Sequence, residues 1–168
     1  MDRLQALLLL LPLLGCCAQA PDFGPSELPL TVVGEGSGHG HATAELETLW
    51  LTDEAGLASW LDRRDHGRSE PGPPPAVDFT TSGLLVVLMG EQPTTGYSLE
   101  LGSGVARVEE GVAAVSLLWN EPPEGAIVGA ALTQPYLVLR VPQGDYRSIA
   151  ILDPEGTRSE EHTSELQS

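Results

Sequence analysis

Apolar residues along this chain fall mostly in short runs, either alternating with polar residues or continuous over about six positions, and both patterns predict strands. Leu30 to Gly34 reads as a first short strand, and the glycine-rich Gly34 to Gly40 reads as a loop or a bulged edge. Thr43 to Leu51 alternates, placing Ala44, Leu46, Thr48 and Trp50 on one face. Leu84-Leu85-Val86-Val87-Leu88-Met89 is continuously apolar between Gly83 and Gly90, which predicts a central strand buried on both faces. Tyr97, Leu99 and Leu101 alternate with Ser98 and Glu100 as in a half-exposed strand. Val105 to Glu109 and Val112 to Trp119 flank Glu110-Gly111, a hairpin with glycine in its turn. Tyr136 to Val141 and Arg147 to Leu152 complete the β pattern.

One segment has helical spacing. Leu57, Trp60 and Leu61 stand at i, i+3 and i+4, which makes one apolar stripe. Thr52 is placed to cap this helix, Asp53 and Glu54 put negative charge in its first turn, and Arg63 and Arg64 put positive charge in its last. The helix is expected over about Asp53 to Arg64, packed on the sheet. The predicted fold class is mainly β (α+β): an antiparallel β-sandwich or open barrel of roughly seven or eight strands with one packed helix.

The N-terminus changes the picture. The apolar run from Leu4 to Leu14 is too short for a transmembrane helix, which needs about 20 residues, but it has the length of a secretory signal core. Residues 1–20 therefore read as a signal peptide of lipoprotein type. Leu13-Leu14-Gly15-Cys16 resembles a bacterial lipobox, with lipidation at Cys16. Ala18-Gln19-Ala20 resembles an ordinary cleavage site, less favourable because Pro21 follows it. Residues 21–29, with three prolines and no periodicity, read as a tether, and residues 30–157 as the β domain. Residues 158–168 resemble the in-frame translation of a sequencing-library adapter. They are expected to be a non-native tail, with the natural C-terminus missing after Thr157.

Charge and chemistry narrow the function. With 8 basic and 24 acidic residues, the net charge of −16 disfavours nucleic acid, whose binding starts from Lys and Arg on phosphates. It also disfavours anionic lipid surfaces, so membrane contact is expected only through a lipid anchor. Both cysteines, Cys16 and Cys17, lie in the export region, which leaves the domain without a thiol for disulfide, metal or nucleophile. His39 and His41 are two ligands short of a metal site, and His66 and His162 stand apart from them. The paired carboxylates read as solvated charges, and no Walker, Rossmann or zinc-protease spacing is present. The expectation is a non-catalytic protein with no cofactor and no metal.

Three segments carry a resemblance. Val77-Asp78-Phe79 leads into the buried strand, Pro93-Thr94-Thr95-Gly96-Tyr97 opens the next, and Leu132-Thr133-Gln134-Pro135-Tyr136 opens another. With a tryptophan-containing helix near Trp60 and the Pro122-Pro123 turn, their order over residues 30 to 142 resembles the protease complex subunit PrcB family. The resemblance implies a lipoprotein of the bacterial cell envelope, an accessory subunit that binds or stabilises an envelope or secreted protein such as a surface protease. On this reading the partner-binding residues are Thr94, Thr95, Gly96, Tyr97, Thr133, Pro135 and Tyr136, with the two tyrosines as anchors. Pro-Thr-Thr-Gly-Tyr is also similar to the first inhibitory loop of chagasin-type cysteine-protease inhibitors, and inhibition is the alternative. In that family an Arg-Pro-aromatic loop is also needed, and here Gln134 replaces the arginine.

Overall fold

The structure, a computed structural model, describes residues 26–38, 45–65, 73–152 and 158–165, the last as a backbone strand. The chain runs β1 (Ser26–Pro29), β2 (Thr31–Gly38), β3 (Glu47–Leu51), α1 (Glu54–Asp65), β4 (Ser82–Leu88), β5 (Ser98–Leu101), β6 (Val105–Glu109), β7 (Val112–Asn120), β8 (Gln134–Pro142), β9 (Ser148–Leu152) and β10 (Arg158–Glu165). One sheet has four strands in the order β2-β8-β4-β3, all antiparallel. The other has six, β1-β6-β7-β9-β10, with β5 paired to the second half of β7. β7 and β9 are parallel, because the chain crosses to β8 in the opposite sheet between them. Among the described residues the fold is mainly β with one helix, as the pattern predicts.

The continuous apolar runs form the middle layer. In β4, Leu85 and Val87 point into the core between the sheets, with Leu137, Leu139 and Val141 of β8. They meet Ala106, Val108, Ala113, Val115, Leu117, Ile149 and Ile151 from the six-stranded sheet. The alternate residues Leu84, Val86, Tyr136 and Val138 point the other way and are covered by Leu57 and Trp60 of α1. Because successive side chains leave opposite faces of a strand, a strand between two apolar layers has no polar face, hence no alternation. Each such side chain, fully buried, contributes about 1.5–3 kcal/mol. Cross-strand rows fix the register: Trp50–Leu85–Leu139 on the core side, Leu49–Val86–Val138 on the helix side.

Three local readings change. The helix begins one residue later than expected and its cap is Asp53, not Thr52: Asp53 Oδ1 accepts from Gly56 N at 2.7 Å and Asp53 O from Leu57 N at 3.2 Å. Ser26–Pro29, read as tether from its prolines, is an edge strand paired to β6, where Pro29 at its end leaves the ladder intact. The glycine-rich stretch expected as loop or bulged edge is regular strand from Gly34 to Gly38, and the register shift lies just before it, between Val32 and Gly34. In the β6–β7 turn, Glu110 (φ 52°) and Gly111 (φ 79°) are both left-handed, the geometry of a tight hairpin. Arg158–Glu165 runs antiparallel beside β9. The signal region 1–20, Cys16 and residues 21–25 of the tether lie outside the described residues.

One end of the core is closed by aromatic packing. Trp50 and Tyr146 meet edge to face, with centroids 6.5 Å apart, and Tyr146 donates to Pro142 O at 2.8 Å. Burial pushes the Tyr146 phenol up to about 12, so it remains a donor throughout the neutral range. Gly83 admits the Trp50 ring: a Cβ there would fall on the indole. Gly83→Ala is therefore expected to destabilise the domain by about 1–3 kcal/mol through overpacking, read as a lower midpoint in denaturant unfolding. An unchanged midpoint would show that the ring is free to move aside.

Candidate functional site

At the opposite end of the sandwich, two loops are tied together. The first follows β4 and holds Gln92 to Gly96; the second joins β7 to β8 and holds Glu121 to Thr133. Gln92 and Thr133 exchange backbone hydrogen bonds at 2.7 and 2.9 Å. Thr95 N donates to Gly129 O at 3.0 Å, and Gly129 N donates back to Thr95 Oγ1 at 2.8 Å. Thr133 Oγ1 donates to Thr94 O at 2.8 Å. Gly96 has φ +101°, which favours glycine, and a Cβ there would stand 3.1 Å from Pro122 and 3.4 Å from Val128. These contacts make the two loops one surface.

The expected binding residues divide. Thr95 and Gly96 are exposed, and Thr94 and Tyr97 are half-buried, Tyr97 leaning on the core. Thr133, Pro135 and Tyr136 are buried. Tyr136 is therefore no surface anchor: at 7% exposure it lies under α1, edge to face with Trp60 at 5.8 Å. The physical reason is that β8 is covered on both faces from its first residues onward. Pro135 also works structurally, since its carbonyl accepts from Met89 N at 2.9 Å.

Sequence reasoning missed the apolar tip of the second loop. Ile127 is fully exposed and Leu132 is 59% exposed, and Trp119 and Leu118 at the end of β7 are partly exposed. The signal was present, because Ala126-Ile127-Val128 is an apolar run with no alternation and glycines on both sides. Such a run can be buried strand or exposed tip, and only the tertiary fold decides. Exposed apolar residues on a braced loop are what a protein contact uses.

Other polar groups near this end serve the fold. The Arg64 guanidinium makes two 2.7 Å hydrogen bonds to Asp65 and lies 5.2 Å from the Trp60 ring centroid. Its pKa is raised, chiefly by the hydrogen bonds it donates to Asp65 and against the opposing effect of burial. At the other end of β4, Asp78 of the Val-Asp-Phe lead-in accepts from Thr80 Oγ1 at 2.7 Å and Thr80 N at 3.0 Å, which hold its carboxyl below the ordinary range. Among the described residues no group of three His, Cys, Asp or Glu could hold a metal ion. His39, His41 and His66 lie outside the described residues, as does the side chain of His162.

The loop bracing is testable at one hydroxyl. Thr133→Val keeps the shape but leaves the partly buried Thr94 carbonyl without its donor, at a cost of about 1–3 kcal/mol. Limited proteolysis should then cut first between Gln92 and Gly96. A variant as stable and as resistant as the parent would show that the loops are held together elsewhere.

Comparison with known proteins bears on this segment. No curated protein and no solved structure matches the chain. The model of one family, described as PrcB C-terminal, matches residues 84–142. The matched stretch starts on the doubly buried β4, takes in both braced loops and ends with β8. It is consistent with an accessory subunit of a protease complex. Over residues 84–142, then, the chain carries the PrcB C-terminal family's pattern, the family that its Pro-Thr-Thr-Gly-Tyr and Leu-Thr-Gln-Pro-Tyr segments resemble.

Proposed function

We propose that this chain is a non-catalytic lipoprotein of the cell envelope, anchored through Cys16, that binds or stabilises a partner protein, with a surface protease as the partner class. The observation that carries the reading is the braced loop pair, which holds Ile127 and Leu132 out of the fold at one end of a rigid sandwich. The family match supports it, since an accessory-type domain works by contact. Thr95, Gly96 and Tyr97 border the same tip and complete the contact surface. The net charge of −16 keeps the chain soluble and steers it toward surfaces of opposite sign.

The placement of Gln134-Pro135-Tyr136 favours this reading over protease inhibition. An inhibitory loop must enter the cleft of its enzyme, and these three residues are buried in β8. A papain-like protease titrated with the chain should keep its activity; stoichiometric inhibition would replace the accessory reading with the inhibitory one.

The direct test is photo-crosslinking in intact cells, with the full chain carrying a photoreactive residue at position 127 or 132. One envelope polypeptide should be captured from both positions, and Cys16→Ser should release the chain from the membrane fraction. Ile127→Ser or Leu132→Ser should each weaken the purified complex, by up to about 1.5–3 kcal/mol for a side chain fully buried on binding. Products at neither position, or only with the chain itself, would contradict the proposal.

A further inference from the structure

A small cavity, about 70 Å³ in volume, lies between the last turns of α1 and the face of the four-stranded sheet that the helix covers. Trp60, Leu49 and Leu88 give it apolar walls, and Gly38 of β2 and Gln134 and Tyr136 of β8 also line it. A water needs about 10–15 Å³ of such space, so the cavity has room for about five non-hydrogen atoms.

Two of its residues are not accounted for by packing among the described residues. Gln134 is only 7% exposed and shares the helix-facing side of β8 with Tyr136 and Val138, so its side chain turns into the cavity. Its side-chain amide has no hydrogen-bond partner among the described residues. A buried amide without a partner costs stability that a leucine of the same size would not. Gly38 is in register with Gln134 and leaves the same face bare. Gly36, two residues earlier, has a steric reason to be glycine, since a Cβ there would stand 3.0 Å from the Tyr136 hydroxyl. At Gly38 a Cβ would meet only Gln134 O, at 3.9 Å among the described residues, and the backbone is not left-handed. A strand glycine of this kind marks a place that a ligand can approach closely.

The charges around the cavity cancel. Glu47 and Asp65 stand against Arg63 and Arg64, and Arg64 donates two hydrogen bonds to Asp65. An anion would meet Glu47 and the −16 of the whole chain, and a cation would meet two guanidinium groups. The balance favours a neutral ligand. Gln134 presents an N–H donor and a C=O acceptor in one plane, and a neutral group that matches both at once is a second carboxamide. We propose that the cavity binds a carboxamide of about five non-hydrogen atoms, paired edge to edge with Gln134, its alkyl part against Leu49, Leu88 and the Trp60 ring. A glutamine side chain of a partner and a free small amide share this chemistry. The site does not depend on the partner-binding reading.

The test uses the isotope-labelled full chain and three probes of nearly equal size: propionamide, butanone, which lacks the donor, and propionate, which carries a charge. Propionamide should shift the NMR signals of the Gln134 side-chain amide and the Trp60 indole N–H saturably. Butanone and propionate should each bind about tenfold more weakly. Gln134→Leu should leave the melting temperature unchanged or raise it, and should bring propionamide and butanone to equal affinity, which a merely structural glutamine would not do. Gly38→Val leaves Gln134 in place and should fill the cavity, abolishing the shift at Trp60 while the other signals keep their positions. A short glutamine-containing peptide that binds more tightly than propionamide would place the carboxamide on a partner chain, and weaker binding would place it on a free small amide; the ligand class stands in both cases. The proposal is overturned by the absence of a saturable shift, or by butanone or propionate binding as tightly as propionamide. A preference that survives Gln134→Leu, or binding that survives Gly38→Val, would overturn it too. None of these results bears on crosslinking from positions 127 and 132, so the two readings fail separately.

Discussion

The constraint on which the rest depends is that β4 and β8 must be covered on both faces. Leu84 to Val87 and Leu137 to Val141, Arg140 apart, hold side chains that water would penalise in either direction. The six-stranded sheet covers one face and α1 the other. The helix itself is short, and 12 residues are marginal in isolation, so docking of Leu57 and Trp60 is what keeps it formed. Capping by Asp53 and the arginines of its last turn act on that docked helix at the margin.

A layer held from both sides is stiff, and its ends inherit the stiffness. β4 runs into Met89 and Gln92, and β8 follows Thr133, so the two loops leave adjacent strands of the most buried part of the molecule. The Thr95–Gly129 and Thr133–Thr94 hydrogen bonds then carry the rigidity outward to the apolar tip. Loops preorganised in this way would lose little freedom on binding a partner, which fits the role proposed for the chain. The family match covers this same unit of strand, braced loops and strand.

Much of the fold was legible because it rests on patterns of short range. The run from Leu84 to Met89 could only be a doubly covered strand or a buried helix, and its length and flanking glycines favoured the strand. The stripe Leu57, Trp60 and Leu61 has no sheet interpretation. What was not legible depended on contacts distant in sequence. Pro29 reads as linker unless β6 is known to lie beside it. Tyr136 after Pro135 looks the same in sequence whether it projects or is roofed by Trp60, 76 positions earlier in the numbering. The clamp between Thr95 and Gly129 spans 34 positions and leaves no local trace. The expected contact residues are therefore split by the fold: Thr94 to Tyr97 lie at the surface or its margin, while Thr133, Pro135 and Tyr136 are buried.

Native-state amide exchange followed residue by residue tests the central claim most directly. If the doubly covered pair is the keystone, amides of Leu85 to Leu88 and Leu137 to Val141 should exchange only through global unfolding, with protection equal to the full stability of the domain. Amides of β1 and β5 at the sheet edges should open at lower free energy. The contrary result, in which β4 and β8 exchange through local opening while the six-stranded sheet stays protected, would show that the fold is organised around the other sheet.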